Sequence, residues 1–435
     1  MALKRFEFTG GERDLRTVAL FGLGAFGLLF GAAHLLYQLW QHWGAPALDY
    51  RFFWLAGDLW ASGQTPYDQT FTTRAADEFA ILEGAVWYYP PSWFAVTVPF
   101  ALLEPLNASR LWLVTNCVML VAASAANVYV FKSLRGKSLL FRAKTPLIEA
   151  LHALHPLVLF GLHFGLVATM QSVGNTIHLG QSSIIVYLGA SLVALGAVRR
   201  STVTGAIGIA LMMLKPQIGI LVVIALAISA YGRRIIFCGA LISFIVAAPA
   251  LVITPMPDVL TAMLASSSDY VEHPYNLPAA MTGLIHLVWQ LGDNAPNATI
   301  FILTSVVITC ALALSGALSP RIKSIDAIAI AIITLLAIMP LHIYDFTLLG
   351  VIVFLLPQLR ASSGVIGTVA MLSIWRAGNI PHLPAFSENA LVYYPGSTYA
   401  SLAAAVLFIH LAIAVFRRRN SPRTRTNGDF QPHPA

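Results

Sequence analysis

The sequence predicts an all-α polytopic membrane protein, and three observations carry that prediction. Of its 435 residues, 57% are hydrophobic and only 10% charged, whereas soluble globular chains carry roughly 25% charged residues. Apolar segments of about 20 residues recur from end to end, each long enough to cross a bilayer as a helix. These segments are continuous rather than alternating apolar with polar, which is the pattern of spanning helices and not of a β-barrel. Mean hydropathy is +0.74.

A net charge of +7 would suit a nucleic-acid partner, but the placement of the charge points elsewhere. Lys132, Arg135, Lys137, Arg142 and Lys144 form one cluster, and Arg199–Arg200 and Arg233–Arg234 form two more. Each lies between apolar segments, as the positive-inside rule expects of cytoplasmic loops. No nucleic acid is expected. Cys117, Cys238 and Cys310 each stand alone in an apolar segment, so neither a disulfide framework nor a metal site follows from them. There is no H-E-x-x-H, P-loop or G-x-S-x-G pattern, and Arg51 follows Asp49 where a chelating D-x-D would need a second acid. A metal-independent protein without cofactors is expected.

In order, residues 1–16 read as a cytoplasmic N-terminus ahead of a first helix at about 17–40, too long for a cleaved signal core. Residues 41–90 form the first external loop. Asp49, Asp58, Asp68, Asp77, Glu78 and Glu83 share it with Trp43, Trp54, Trp60, Trp87, Tyr88 and Tyr89, which suits short helices lying at the membrane interface. Parity of the basic loops favours a half-length helix and then one full span near 109–131. Spans follow near 146–170 and 182–198, with an external turn at 174–183. Lys215–Pro216 should divide the next run into two shortened helices, because proline breaks a helix at the preceding residue. A span at 235–253 leads to a second external loop, 254–298. Spans near 299–318 and 325–341 follow, then an external turn at 342–346 and a span ending near Arg360. A last pair encloses the external stretch 376–395. The chain therefore reads as one transmembrane domain over 17–416, with about 12 crossings and a basic, disordered cytoplasmic tail at 417–435.

Some polar residues are not explained by topology. Asp49, Arg51, His178, Gln181, Lys215, His342, Asp345 and Arg376 all fall at the external ends of spans, as the lining of a cavity open to that face would. Each also has a plainer reading. Asp49 and Gln181 could cap helices, and His342 and Asp345 could pair locally. Lys215, which costs about 3 kcal/mol in an apolar run if unpaired, could snorkel or meet an acid. His34, His42, His152 and His155 read as local polar groups rather than ligands.

The run D-Y-R-F-F-W-L-A-G-x-L-W-x-S-G-Q-x-P-Y-D beginning at Asp49, Y-Y-P-P at 88–91, N-x-x-x-x-G-Q at 175–181 and L-K-P-Q at 214–217 together resemble glycosyltransferase family 87. Its members are polyprenol-phosphate-mannose-dependent mannosyltransferases of the glycosyltransferase-C superfamily. The resemblance implies a glycosyltransferase-C-like bundle with interfacial helices in the first external loop. It places Asp49 as catalytic base and maps the Gly-Gln and Lys-Pro turns onto Gln181, Lys215 and Pro216, and the late polar turn onto His342 and Asp345. The sequence NLPAAM at 276–281 departs from the pattern, which expects a serine soon after the asparagine, so no role is carried to Asn276.

The chemistry suits these residues. Inverting transfer passes through an oxocarbenium-like transition state and needs one carboxylate as base on the acceptor hydroxyl. A lipid phosphate is already a good leaving group and needs cations and hydrogen-bond donors rather than an acid. Lys215, His342, Gln181 and Arg376 are the expected donor-phosphate ligands; Arg51, Tyr67, His178 and Asp345 are expected at the sugar or acceptor. The expectation is a hexosyltransferase of the cell (inner) membrane, with both termini cytoplasmic and its site facing the outside or periplasm. A polyprenyl-phosphate-sugar would be the donor and a glycolipid or polysaccharide the acceptor, with membrane lipids as surroundings. The alternative, a multi-span transporter or flippase, would more often carry inverted repeats with paired broken helices, and no second copy of the Asp49 loop or the Lys-Pro break occurs in the sequence.

Overall fold

In a computed structural model the described residues are 10–81, 85–134, 146–272, 276–291, 297–317, 324–356, 361–377 and 396–419. They form helices throughout, with one isolated antiparallel bridge between Thr282 and Leu341. The helices are α1 (Gly10–Gln41), α2 (Tyr50–Ala61), α3 (Gln69–Phe79), α4 (Phe94–Ala101), α5 (Pro105–Ser133), α6 (Pro146–Ala153), α7 (Pro156–Ala168), α8 (Gln171–Leu179) and α9 (Ser183–Arg199). They continue as α10 (Thr202–Met212), α11 (Pro216–Leu226), α12 (Ala230–Ile253), α13 (Met256–Glu272), α14 (Leu284–Trp289), α15 (Ala298–Ala317), α16 (Ser324–Ile338), α17 (Ala361–Trp375) and α18 (Ser397–Arg419). Two 3-10 helices interrupt them, at Pro91–Trp93 and Ile343–Val351.

By length and composition, three helices can each cross a membrane: Val18–Gln41 within α1, Pro105–Ser133 and Ala230–Ile253. A fourth span results if the bent pair α7–α8 is counted as one. The remaining apolar helices, such as Ser183–Arg199 and Ser324–Ile338, are shorter. Prolines at the first helical position mark several of the helix starts: α5, α7 and α11 all begin on one. Proline is tolerated there, where its missing N–H has no intrahelical partner, and is costly further in. The division at Lys215–Pro216 falls where the sequence places it, between α10 and α11. The half-length helix ahead of a full span is also present, as the eight-residue α4 and the 29-residue α5.

Three segments differ from expectation. The run expected as one span near 146–170 divides into α6 and α7, because Pro156 starts a new helix. Residues 171–179 form α8, bent 63° from α7, so the turn expected at 174–183 is compressed to Gly180–Ser182. After the expected turn at 342–346, the chain winds as a 3-10 helix to Val351 rather than as an α-helical span. The first nine residues, the loops 135–145 and 318–323, most of the stretch 376–395 and the tail from 420 lie outside the described residues.

Small residues set the closest helix packing. Gly24, Gly27 and Gly31 of α1 meet Val158, Gly161 and Gly165 of α7, and a Cβ on Gly27 would stand 2.7 Å from the Gly161 carbonyl oxygen. Glycines spaced three or four apart let two backbones touch where lipid supplies no hydrophobic drive. The rest of α1 is largely exposed, including Phe26, Leu29 and Trp40, as expected of a helix facing lipid. The seam fixes α1 against α7, and α7 leads through its bend into α8. That route brings the residue after α1's loop to the end of α8.

Candidate active site

α2 opens the site. Its buried residues Tyr50, Phe53, Trp54, Leu55, Leu59 and Trp60 pack into an aromatic cluster: Phe53 stacks on Trp93 at 4.6 Å and Tyr50 on Trp112 at 5.7 Å. Gly57 lets α4 approach, since a Cβ there would lie 2.6 Å from the Thr97 carbonyl oxygen. The Trp93 indole N–H donates to the Leu214 carbonyl at 2.7 Å and so ties the first loop to the Lys215 break 121 residues on.

Asp49 immediately precedes α2 but makes no capping bond with its side chain. Its backbone N–H donates to the Leu179 carbonyl at 2.8 Å, and its carboxylate accepts from the Gln181 amide at 2.5 Å. The amide orientation is fixed at its other end, where the Gln181 oxygen accepts from the Ser182 N–H at 3.4 Å. Gly180 makes this junction possible. Its φ is +74°, a left-handed conformation that favours glycine, and a Cβ there would stand 2.7 Å from the Tyr50 Cβ. The Gly180 carbonyl is held by the Trp112 indole at 2.9 Å. Burial pushes the Asp49 carboxyl up to about 6, with the Gln181 hydrogen bond and the Lys215 charge holding it down. A carboxylate with a pKa near the working pH is well matched to general-base work.

Two residues beyond Gln181, Ser183 begins the second half of the network. Its hydroxyl donates to Asp345 at 2.6 Å. Lys215 pairs with the same Asp345 oxygen at 2.6 Å, lies 3.4 Å from the Ser183 hydroxyl and sits 4.8 Å from the centre of the Tyr344 ring. Both members of the pair are buried. Asp345 and His342 close the first turn of the 3-10 helix as a capping box, the histidine side chain accepting from the Asp345 N–H. The His342 N–H accordingly sits on Nε2 and donates to the Asn276 side-chain oxygen at 3.0 Å. His342 lies in the turn after α16, outside the spans, and burial pulls its pKa down to about 4. It is a neutral hydrogen-bond donor at neutral pH.

Of the sequence-nominated residues, Asp49, Gln181, Lys215, His342 and Asp345 converge here. The other four are placed apart. The Arg51 guanidinium lies 5.9 Å from the Phe79 ring centre, the Tyr67 hydroxyl donates to the Tyr89 carbonyl at 2.7 Å, and the His178 ring meets His42 at 3.2 Å. Arg376 stands within electrostatic reach of His34. Sequence reasoning passed over Ser183, Tyr344 and Asn276. Ser183 was visible as the second serine after the Gly-Gln turn; Asn276, set aside for its missing serine, is the partner of His342. Among the described residues no group of three or more His, Cys, Asp or Glu could hold a metal ion.

The family model described as Glycosyltransferase family 87 matches residues 87–342, well over half of the chain. The chain belongs to glycosyltransferase family 87. The matched stretch contains Gln181, Ser183, Lys215, Asn276 and His342; Asp49 and Asp345 lie outside it and are joined to it by the bonds just described. No curated protein matches the sequence. Membership makes this protein a glycosyltransferase, and its apolar helices make it a membrane one. A buried carboxylate near a buried ammonium offers a proton acceptor and a cation in one site, and a fixed cation can stabilise developing negative charge.

Proposed function

We propose that this family 87 member is an inverting hexosyltransferase that moves a sugar, mannose by the family resemblance, from a polyprenyl-phosphate donor to an acceptor on the external or periplasmic side. The observation that carries the reading is the Asp49 carboxylate: it is released from capping α2, held by Gln181 and raised in pKa. Asp49 takes the proton of the acceptor hydroxyl as that oxygen forms its bond to the anomeric carbon. The bond from that carbon to the phosphate oxygen breaks, and its electron pair leaves with the lipid phosphate. Lys215 has one N–H left beyond those facing Asp345 and Ser183, and that N–H meets the departing phosphate. Asp345 positions the ammonium, His342 holds Asn276 at the site through its one neutral N–H, and no metal is needed for either step. A glycolipid or polysaccharide with a free hydroxyl fits as acceptor.

The test uses purified protein in nanodiscs with radiolabelled polyprenyl-phosphate mannose and a membrane lipid extract. The wild type should transfer label to a new product and Asp49→Asn should not, while both give the same far-ultraviolet circular dichroism. A fully active Asp49→Asn protein would remove Asp49 as base. If the folded wild type transfers no label from mannose, glucose or arabinose donors, the polyprenyl-phosphate assignment is withdrawn.

A further inference from the structure

A second polar cluster lies where α8 meets α1. His34 and Gln38 of α1 are four residues apart and share one face, and His42, in the turn just past its end, continues that spacing with its N–H on the Gln38 carbonyl. That face meets α8. The His42 Nε2 and His178 Nδ1 are 3.2 Å apart and their rings meet edge to face at 4.6 Å. One turn earlier on α8, Gly174 leaves room: a Cβ there would reach within 3.9 Å of both the Gln38 amide nitrogen and the His34 Nε2. Arg376 joins from the end of α17, its charge within reach of His34. It is held at the α7–α8 bend through its neighbour Trp375, whose indole bonds the Leu166 carbonyl at 3.0 Å and the Thr169 hydroxyl at 3.1 Å.

The cluster is rich in hydrogen-bond donors and contains no acid. Among the described residues the ion pairs are Arg74 with Asp58 and Glu78, and Lys215 with Asp345, so no described carboxylate neutralises Arg376. Three imidazoles, an amide and a guanidinium suit an anion with several acceptor oxygens, for which arginine's fork is well shaped. The level of the cluster is set by its neighbours. Tyr37, Trp40 and Trp43 are exposed on the same end of α1, and Arg110 stacks over Trp43 at 5.4 Å, which is the aromatic and cationic signature of the headgroup region.

We propose that His34, Gln38, His42, His178 and Arg376 form a second phosphate site at the seam of α1 and α8, taking the phosphate of a membrane-lipid headgroup. This goes beyond the transfer reading and moves His178 and Arg376 from the sugar and donor phosphate to a separate anion. The headgroup bridges α1 and α8, and the end of α8 carries the carbonyl that holds Asp49.

Full-length protein in neutral detergent should be titrated with phosphatidylglycerol, phosphatidylcholine or inorganic phosphate, reading bound lipid by native mass spectrometry and the thermal midpoint alongside. Phosphatidylglycerol should bind and raise the midpoint, and phosphatidylcholine should do so more weakly. His42→Gln/His178→Gln and Arg376→Gln should each weaken that binding by about ten-fold, while Asp49→Asn leaves it unchanged. Wild type that does not prefer phosphatidylglycerol, or variants that bind it as tightly as wild type, would overturn the site. Stabilisation by inorganic phosphate equal to that by phosphatidylglycerol, lost in the same variants, would support the phosphate site and overturn the headgroup as its ligand. Because this titration reads lipid and not turnover, it succeeds or fails independently of label transfer.

Discussion

The Lys215–Asp345 pair offers the sharpest separation of folding from function. Removing one member of a buried pair leaves the other charged and unpaired, at a cost of about 3–5 kcal/mol, a large share of the roughly 5–15 kcal/mol that holds a typical protein folded. Lys215→Met and Asp345→Leu should each approach that loss. The double variant removes both charges, so it should lose less than the sum of the two single losses. What remains is the orphaning of two donors that Asp345 satisfies, the Ser183 hydroxyl at 2.6 Å and the His342 backbone N–H at 3.4 Å. Each buried donor left unsatisfied costs about 1–3 kcal/mol, and the longer bond belongs at the low end. A double-mutant cycle should therefore give a coupling of a few kcal/mol, at the upper end of the range for residues in contact. Stability is read by thermal or denaturant unfolding in nanodiscs, and turnover by label transfer from the lipid-linked donor. The double variant should keep a deficit of about 2–4 kcal/mol, no worse than either single variant, and yet fail to transfer, because no ammonium remains for the leaving phosphate. Transfer within two-fold of wild type by the double variant would refute Lys215 as a phosphate ligand; additive single-variant losses would refute the pair as a buried unit.

Further tests address Asp49 and its support. Transfer should fall with unit slope as pH drops through about 6, where the Asp49 carboxyl gains its proton; a rate independent of pH between 5 and 8 would speak against Asp49 as base. Because the folded pKa is raised above the ordinary 3.8, the folded state holds this proton more tightly than the unfolded chain. Stability is therefore lost as pH rises from about 4 to 6, and Asp49→Asn should gain stability relative to wild type at pH 7 but not at pH 4. Gln181→Leu removes a bond that lowers the Asp49 pKa, so the acid limb of the rate profile should move to higher pH; an unmoved limb would mean that Gln181 does not act through Asp49. Gly180→Ala meets a left-handed backbone cost of about 1–2 kcal/mol and the Tyr50 side chain as well. It should lower both the unfolding midpoint and turnover, and unfolding unchanged from wild type would contradict the observed junction.

The sequence by itself determined the class of the protein, because hydropathy and helix-breaking are local properties. Continuous apolar runs announced spanning helices, and Pro216 announced the break at Lys215. The carboxylate, cation and amide at the ends of apolar segments stood out because lipid penalises them. Those cues also produced the main errors of detail. A polar stretch such as 171–179 reads as a turn, yet it folds as α8 because Val173, Thr176 and Ile177 are buried against the bundle. The Asp49 and Lys215 partners were decided only in the tertiary structure. Asp49 meets Gln181 across 132 positions and Lys215 meets Asp345 across 130, and no local pattern records either pairing. What fixes them is the close approach of backbones at Gly27–Gly161 and Gly180–Tyr50 and the Trp93 bond to Leu214. The same packing joined Asn276 to His342 and His178 to His42, because a side chain's partners depend on which helix faces pack, and that is settled over the whole chain.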